Sequence, residues 1–178
     1  MLFYYKFSIL SYYIVMNINS ALRQGAFFGI NSGVITTTGV LAGLSQATLN
    51  PYIIIITVIS LAISDGIGES YGIYISKKAE RLSDNSIDPQ LSFIGLLTMK
   101  ALIVLSFLLP FLFSMSTKYF RNLVWPLAWG IIILTLMDYK LSKLRDESIY
   151  QYLIPHYIIL LITIIVTMFF GKLLSNYT

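Results

Sequence analysis

The segment ISDGIGESYG, residues 63–72, places two carboxylates four positions apart inside an otherwise apolar stretch of the chain. Four residues make about one turn of an α-helix, so Asp65 and Glu69 would share one face, about 6 Å apart along the axis. Two negatively charged groups at this spacing can bind a divalent cation, and protons compete with metal for the same oxygen lone pairs. The pair therefore predicts a site that carries cations or protons.

The surrounding sequence indicates that lipid is the main solvent of these helices. Hydrophobic residues make up 57% of the 178 residues and charged residues only 11%, whereas soluble domains carry about 25% charged residues. The apolar runs are long enough to cross about 30 Å of hydrocarbon, and they lack the short alternation of barrel strands. We predict an all-α integral membrane protein, one transmembrane domain over 1–178. Its five spans are expected at about 24–44, 51–76, 91–115, 123–139 and 152–174.

The distribution of basic residues predicts an orientation with the N-terminus inside and the C-terminus outside. With the N-terminus inside, eight basic residues lie inside and three outside: Lys6, Arg23, Lys77, Lys78, Arg81, Lys140, Lys143 and Arg145 against Lys118, Arg121 and Lys172. This asymmetry follows the positive-inside rule, and we expect a multi-pass protein of a prokaryotic plasma membrane. The formal net charge of +4 sits at the span ends, where it meets lipid headgroups and not nucleic acid.

The N-terminal segment and the lack of cysteine are two further features of the sequence. Residues 1–19 lack the small-residue cleavage site of a signal peptide and are too short to span alone, so we expect an N-terminal extension or an interfacial helix, with Met1 or Met16 as the start; a separate sixth span is the alternative. The chain has no cysteine, which excludes disulfides and thiolate metal sites.

The depth of the acids in the membrane requires a compensating positive charge. Counted from Lys77 at 1.5 Å per residue, Glu69 lies about 12 Å deep and Asp65 about 18 Å. A charge near the midplane costs at least about 2.5–3.5 kcal/mol. Lys100 is the candidate countercharge, because it falls about 14 Å past Leu91, at a depth between the two acids. A purely structural bridge to Lys100 is the alternative to a cation or proton path.

Other polar residues have weaker assignments. Asn31 and Ser32 of the first span are expected to supply neutral oxygens to a metal ion at the acids. His156 is expected at the membrane interface, or else as an entrance ligand, and Asp138 at a solvated helix end. The small residues of the first span, Gly25, Gly29 and Gly33, are spaced for close helix packing, inside the chain or across a dimer.

The second span has a similar small face. Ser64, Gly68 and Gly72 recur at intervals of four, which would let a neighbouring helix approach closely. We therefore expect the first and second spans to pack against each other.

The motifs GINSGVITTTGVLAGLSQA in the first span and AISDGIGESYGIYISKKAE in the second resemble the vacuolar iron transporter (VIT/CCC) family, most closely its small archaeal members. The resemblance implies export of iron or manganese from the cytosol by proton antiport. It also implies a homodimer with the ion path between the first and second spans of the two subunits.

The chain departs from the plant-type members of that family at three places. Ser32 stands where they have an acidic residue, and Asp65 stands where they have a methionine. A short connection after Lys77 replaces their cytosolic metal-binding domain. The acid is thereby moved from the first span to the second, which leaves a harder site made of oxygen atoms.

These observations together predict a transporter of divalent metal ions such as Fe²⁺ or Mn²⁺, exchanged for protons, with Asp65, Glu69, Asn31 and Ser32 as ligands. Its partners are metal ions, protons, membrane lipid and a second copy of the chain, and no resident cofactor is expected. The alternatives are a proton-coupled carrier of another cation and a membrane scaffold whose buried charges are structural. No constellation of catalytic residues suggests an enzyme.

Overall fold

The computed structural model describes residues 2–47, 50–80, 88–116 and 124–175, and the side chains of 20–47, 50–80, 88–113 and 124–175. Every element in these ranges is an α-helix. The helices are α1 (Leu2–Ala47), α2 (Pro51–Glu80), α3 (Pro89–Ser106), α4 (Leu108–Ser116), α5 (Val124–Arg145) and α6 (Tyr150–Ser175).

The structure confirms the prediction of five helices long and apolar enough to cross a membrane. They are Ser20–Ala47, Pro51–Glu80, Pro89–Phe113, Val124–Arg145 and Tyr150–Ser175. The ends of these helices differ from the predicted ends by at most six residues. Residues 2–19 of the expected N-terminal extension form one continuous helix with the first span.

The third span is interrupted at Phe107, which separates α3 from α4. Pro110 explains the break, because proline lacks the N–H that would bond to the carbonyl of Ser106 and its ring clashes with that carbonyl. The Ser106 hydroxyl donates instead to the Ile103 carbonyl, at 2.6 Å, and accepts a bond of 3.0 Å from the indole N–H of Trp129 in α5. A side chain of α5 thus stabilises the interruption.

Helix α1 is the centre of the bundle, and its glycines set its closest contacts. A Cβ added at Gly29 would lie 2.6 Å from the Leu96 carbonyl oxygen of α3, and one added at Gly39 would lie 2.6 Å from the Thr163 methyl of α6. Gly130 of α5 faces the opposite side of α1, 3.0 Å from Thr38 Oγ1 by the same measure. Small residues therefore let three helices approach the backbone of α1 closely.

The expected role of the small residues in packing the first two spans together is wrong. The glycines of α1 pack on α3 and α6, and a Cβ added at Gly68 or Gly72 of α2 would meet no atom within 4 Å. Ser64, Gly68 and Gly72 are all exposed in the single chain. We call these three residues the open face of α2.

The packing contacts also define the helix directions. Gly25 of α1 lies against Ser92 of α3, and Gly33 against Ile103, so α1 and α3 run in parallel. One end of the bundle, here called the basic end, carries Arg23, Lys77, Lys78, Lys140, Lys143 and Arg145.

Candidate ion site

Lys100 belongs to α3, and its side chain is completely buried inside the helix bundle. The close approach of α3 to α1 at this level depends on Gly29, where an added Cβ would lie 2.6 Å from the Leu96 carbonyl oxygen and 3.0 Å from the Lys100 backbone nitrogen. The Lys100 Cγ itself lies 3.6 Å from the position of a Gly33 Cβ, an ordinary packing distance. The aliphatic part of Lys100 therefore packs against α1, and its ammonium reaches α2.

The ammonium of Lys100 contacts both acids of α2. Its Nζ lies 2.5 Å from Asp65 Oδ2 and 2.7 Å from Glu69 Oε2. Both contacts are ion pairs by distance, but neither has the alignment of a hydrogen bond, so the attraction is chiefly Coulombic. With all three groups ionised, two negative charges face one positive charge, and the site carries one surplus negative charge.

The acids are only partly enclosed by the single chain. Their side chains are 31% and 28% exposed, whereas the Lys100 side chain is 0% exposed. Asp65 Oδ2 and Glu69 Oε2 are themselves buried, so the exposed parts of the acids belong to their other atoms. Glu69 lines a groove of about 370 Å³ together with Phe28, Gly72 and Ile73. The site is therefore reached from the side of α2 that includes Gly72.

Asn31 and Ser32 are separated by the curvature of α1. Asn31 lies one turn from Phe27 and about one turn from Val34, which both face α5. Ser32 lies one turn from Phe28, which lines the groove beside Glu69. Asn31 Oδ1 and Ser32 Oγ are both buried without a hydrogen-bond partner. Neither oxygen is bonded to the charged cluster, and only Ser32 is on its side of α1.

The position of the ammonium marks a point at which one cation contacts two carboxylates. A divalent ion at this point would have oxygen ligands from Asp65 and Glu69, which suit hard and borderline cations. Among the residues that the structure describes, no three His, Asp or Glu side chains cluster to hold a metal. Further ligands for a divalent ion would have to be neutral oxygens such as Ser32 Oγ, water, or groups of another chain.

Comparisons with known proteins identify no family for this chain. No family model, curated protein or solved structure matches it. The resemblance to the iron transporter family therefore depends on the two motifs alone, and the residue roles that it implies are proposals.

The expectation that Asp138 lies at a solvated helix end is wrong. Its side chain is 0% exposed, and its Oδ1 lies 2.7 Å from Nδ1 of His156 on α6. The buried residues of α5 recur on one side of the helix, at Pro126, Gly130, Leu134, Met137, Asp138 and Ser142. The neighbouring Lys140 suggested a solvated position for Asp138. The interval of four residues from Gly130 through Leu134 to Asp138 instead predicts the buried side of α5.

The position of His156 also differs from a simple interface residue. Its side chain is 17% exposed, and it pairs across the α5–α6 contact with a carboxylate. This pair is separate from the cluster of Asp65, Glu69 and Lys100, since Asp138 belongs to the α5 side of the bundle and Lys100 to the α3 side. The protein thus contains two groups of ionisable side chains within its membrane-spanning helices.

Proposed function

We propose that this protein is a membrane transporter that moves divalent metal ions, iron or manganese, out of the cytoplasm in exchange for protons. The observation that supports this proposal most directly is that two carboxylates, Asp65 and Glu69, share the single ammonium of Lys100, which leaves one surplus negative charge when all three are ionised. A surplus charge within hydrocarbon costs several kcal/mol unless a mobile cation or proton neutralises it. The partial exposure of both acids gives such an ion access.

Transport then depends on competition at the two carboxylates. In the metal-free protein, Lys100 and a proton together neutralise Asp65 and Glu69. An arriving divalent cation replaces two protons, the one held by the carboxylates and one from the Lys100 ammonium, so that the loaded site is neutral with Lys100 as an uncharged amine. Reprotonation on the other side of the membrane weakens the metal's hold and releases it, which couples the flow of metal to the opposite flow of protons.

We further propose that two copies of the chain form a homodimer through α2. The open face of α2, Ser64, Gly68 and Gly72, has the small-residue spacing that brings membrane helices close together. It adjoins Asp65 and Glu69, so a second copy would cover acids that otherwise border lipid. The basic end would be cytoplasmic under the positive-inside rule, with the N-terminus inside.

Flux through the purified protein tests the proposal. Proteoliposomes containing the intact chain should take up Mn²⁺ and Fe²⁺ faster when their interior is acidic, because the outward proton gradient then drives inward metal flow. Asp65→Asn removes the surplus charge and leaves Lys100 paired with Glu69, so we expect metal flux to fall at least about tenfold without loss of folded protein. Glu69→Gln should have the same effect.

The matched control is Asp146→Asn, the same chemical change outside the ion site. Asp146 is exposed in the turn before α6 and has φ 54, a conformation that asparagine also tolerates. Flux in this variant should equal that of the unchanged chain. Equal flux in Asp65→Asn and Asp146→Asn would remove Asp65 from the mechanism. Metal flux that ignores the pH gradient would instead favour transport without antiport, and proton flux without metal flux would favour a carrier of another cation.

A membrane scaffold is the second candidate, and the complete burial of Lys100 favours it. An ammonium that contacts two carboxylates from a neighbouring helix can fix the register of α2 on α3 without any mobile ion. In that case Asp65→Leu combined with Glu69→Gln and Lys100→Met, which leaves no unpaired charge, would keep the protein folded and would cost no ion flux. Under the transport proposal, the same triple variant folds and carries no metal.

A further inference from the structure

We propose that Asp138 and His156 form a second site, which binds a proton at the α5–α6 interface independently of the cluster at Asp65. The proposal does not depend on metal transport. Asp138 is fully buried on the inner side of α5, and one of its oxygens lies 2.7 Å from His156 Nδ1. Its other oxygen, Oδ2, is buried without a hydrogen-bond partner.

The geometry determines which nitrogen of His156 takes up the proton. An ionised carboxylate only accepts hydrogen bonds, so the Nδ1 that faces Asp138 must carry a hydrogen. The neutral ring is then the Nδ1–H tautomer, and the additional proton binds at Nε2. The pair has a charge of −1 before this step and is electrically neutral after it. Proton binding therefore changes the charge enclosed between α5 and α6 by one unit.

Few other ionisable groups face this pair from the neighbouring helices. On α6, Tyr157 is already bonded through its hydroxyl to Thr135 of α5, at 2.7 Å. Helix α4 contains no ionisable side chain, and the α1 residues that face α5 near Asp138 are Phe27 and Asn31. Tyr152, one turn before His156 on α6, donates its hydroxyl hydrogen to Glu147. Arg23 and Arg145 line a cleft at the basic end.

The cleft approaches the pair from the basic end. It has a volume of about 380 Å³ and is lined by Ser20, Arg23, Gln24, Phe27, Leu141, Leu144 and Arg145. Leu141 is one turn along α5 from Asp138, about 4.5 Å along the axis. The cleft therefore ends about one helical turn from the pair.

The chain contains one histidine, which gives a direct test. The full chain, labelled with ¹⁵N-histidine and placed in lipid nanodiscs, should show a single imidazole by NMR. The neutral ring should be the Nδ1–H tautomer, which the ¹⁵N shifts of its two nitrogens report directly. Asp138→Asn replaces the charged acceptor with a neutral amide, so the share of the Nδ1–H tautomer should fall at least about threefold.

Tyr157→Phe is the matched control, because it removes the adjacent hydrogen bond between α5 and α6 without touching the pair. Its share of the Nδ1–H tautomer should equal that of the unchanged chain. An Nε2–H tautomer in the unchanged chain would overturn the proposal, and this measurement needs no variant to fold. Equal losses of the Nδ1–H tautomer in Asp138→Asn and Tyr157→Phe would also overturn it, since they would reflect a loosened helix contact.

Discussion

Removing the ammonium of Lys100 should reveal how the charged cluster is balanced. Lys100→Met keeps an unbranched side chain in the space beneath Gly33, so the packing of α3 against α1 changes little. The two carboxylates then lose their shared counterion. We expect the variant to be markedly less stable than the unchanged chain.

The magnitude follows from the distances in the cluster. At an effective dielectric constant of about 20, ion pairs of 2.5 Å and 2.7 Å contribute about 6 kcal/mol each. Removing the lysine also removes the cost of burying its ammonium, which is several kcal/mol. The expected net loss is about 3–5 kcal/mol, the usual result of removing one partner of a buried pair.

Unfolding in mixed micelles, followed by circular dichroism and extrapolated to zero denaturant, measures this loss. Two further variants separate charge from packing. Adding Asp65→Asn and Glu69→Gln to Lys100→Met removes every charge, and it should restore stability to within about 1 kcal/mol of the unchanged chain. Asp65→Asn alone leaves one acid facing one ammonium, and it should be at least as stable as the unchanged chain.

The order of stabilities is what can refute this reasoning. If the uncharged triple variant is as unstable as Lys100→Met, the lysine contributes through its shape and the charge balance is irrelevant. If Asp65→Asn costs as much as Lys100→Met, both acids are required as ions for folding, and no surplus negative charge exists for a mobile cation to neutralise.

Three other substitutions test the packing around the site. Gly29→Ala should cost about 1–3 kcal/mol of unfolding free energy, because its Cβ would lie 2.6 Å from the Leu96 carbonyl oxygen; unchanged stability would show that α1 and α3 can separate freely. Gly68→Leu should leave the stability of the single chain within about 1 kcal/mol, since nothing lies within 4 Å, while cross-linking of dimers in nanodiscs decreases; undiminished cross-linking would exclude this face as the contact. Trp129→Phe should cost about 1 kcal/mol through loss of the bond to Ser106, and a cost near zero would show that the break in the third span needs no such bond.

The sequence was sufficient for the spans and for the depth of the charges. Continuous apolar runs define transmembrane helices without ambiguity, because length and hydropathy are set by the bilayer itself. Counting the helical rise put Lys100 at a depth between the two acids, and the structure has all three groups in contact. Depth along a helix follows from residue number alone, and for that reason it can be predicted.

The direction in which a side chain faces was harder to predict than its depth along the helix. Asn31 and Ser32 are adjacent in sequence and about 100° apart around α1, so they face different neighbours. The helix that the glycines of α1 contact was also missed, because small-residue spacing shows that some helix approaches and does not show which one. Asp138 illustrates the same limit, since its place within the buried stripe of α5 outweighs the charged residues beside it in sequence.

The glycines of α1, the burial of Lys100 and the open face of α2 have a common physical explanation. Helix α3 packs closely against α1, and the Lys100 ammonium contacts Asp65 of α2 and not lipid. The acids that meet it belong to a helix whose adjacent face has no partner in the single chain. A partly exposed acid pair that shares one ammonium is costly in a bilayer, so we expect that side of α2 to be covered by a second chain or by water, or one acid to be neutralised by a proton. Water at this face would also bring a mobile cation within reach of Asp65 and Glu69.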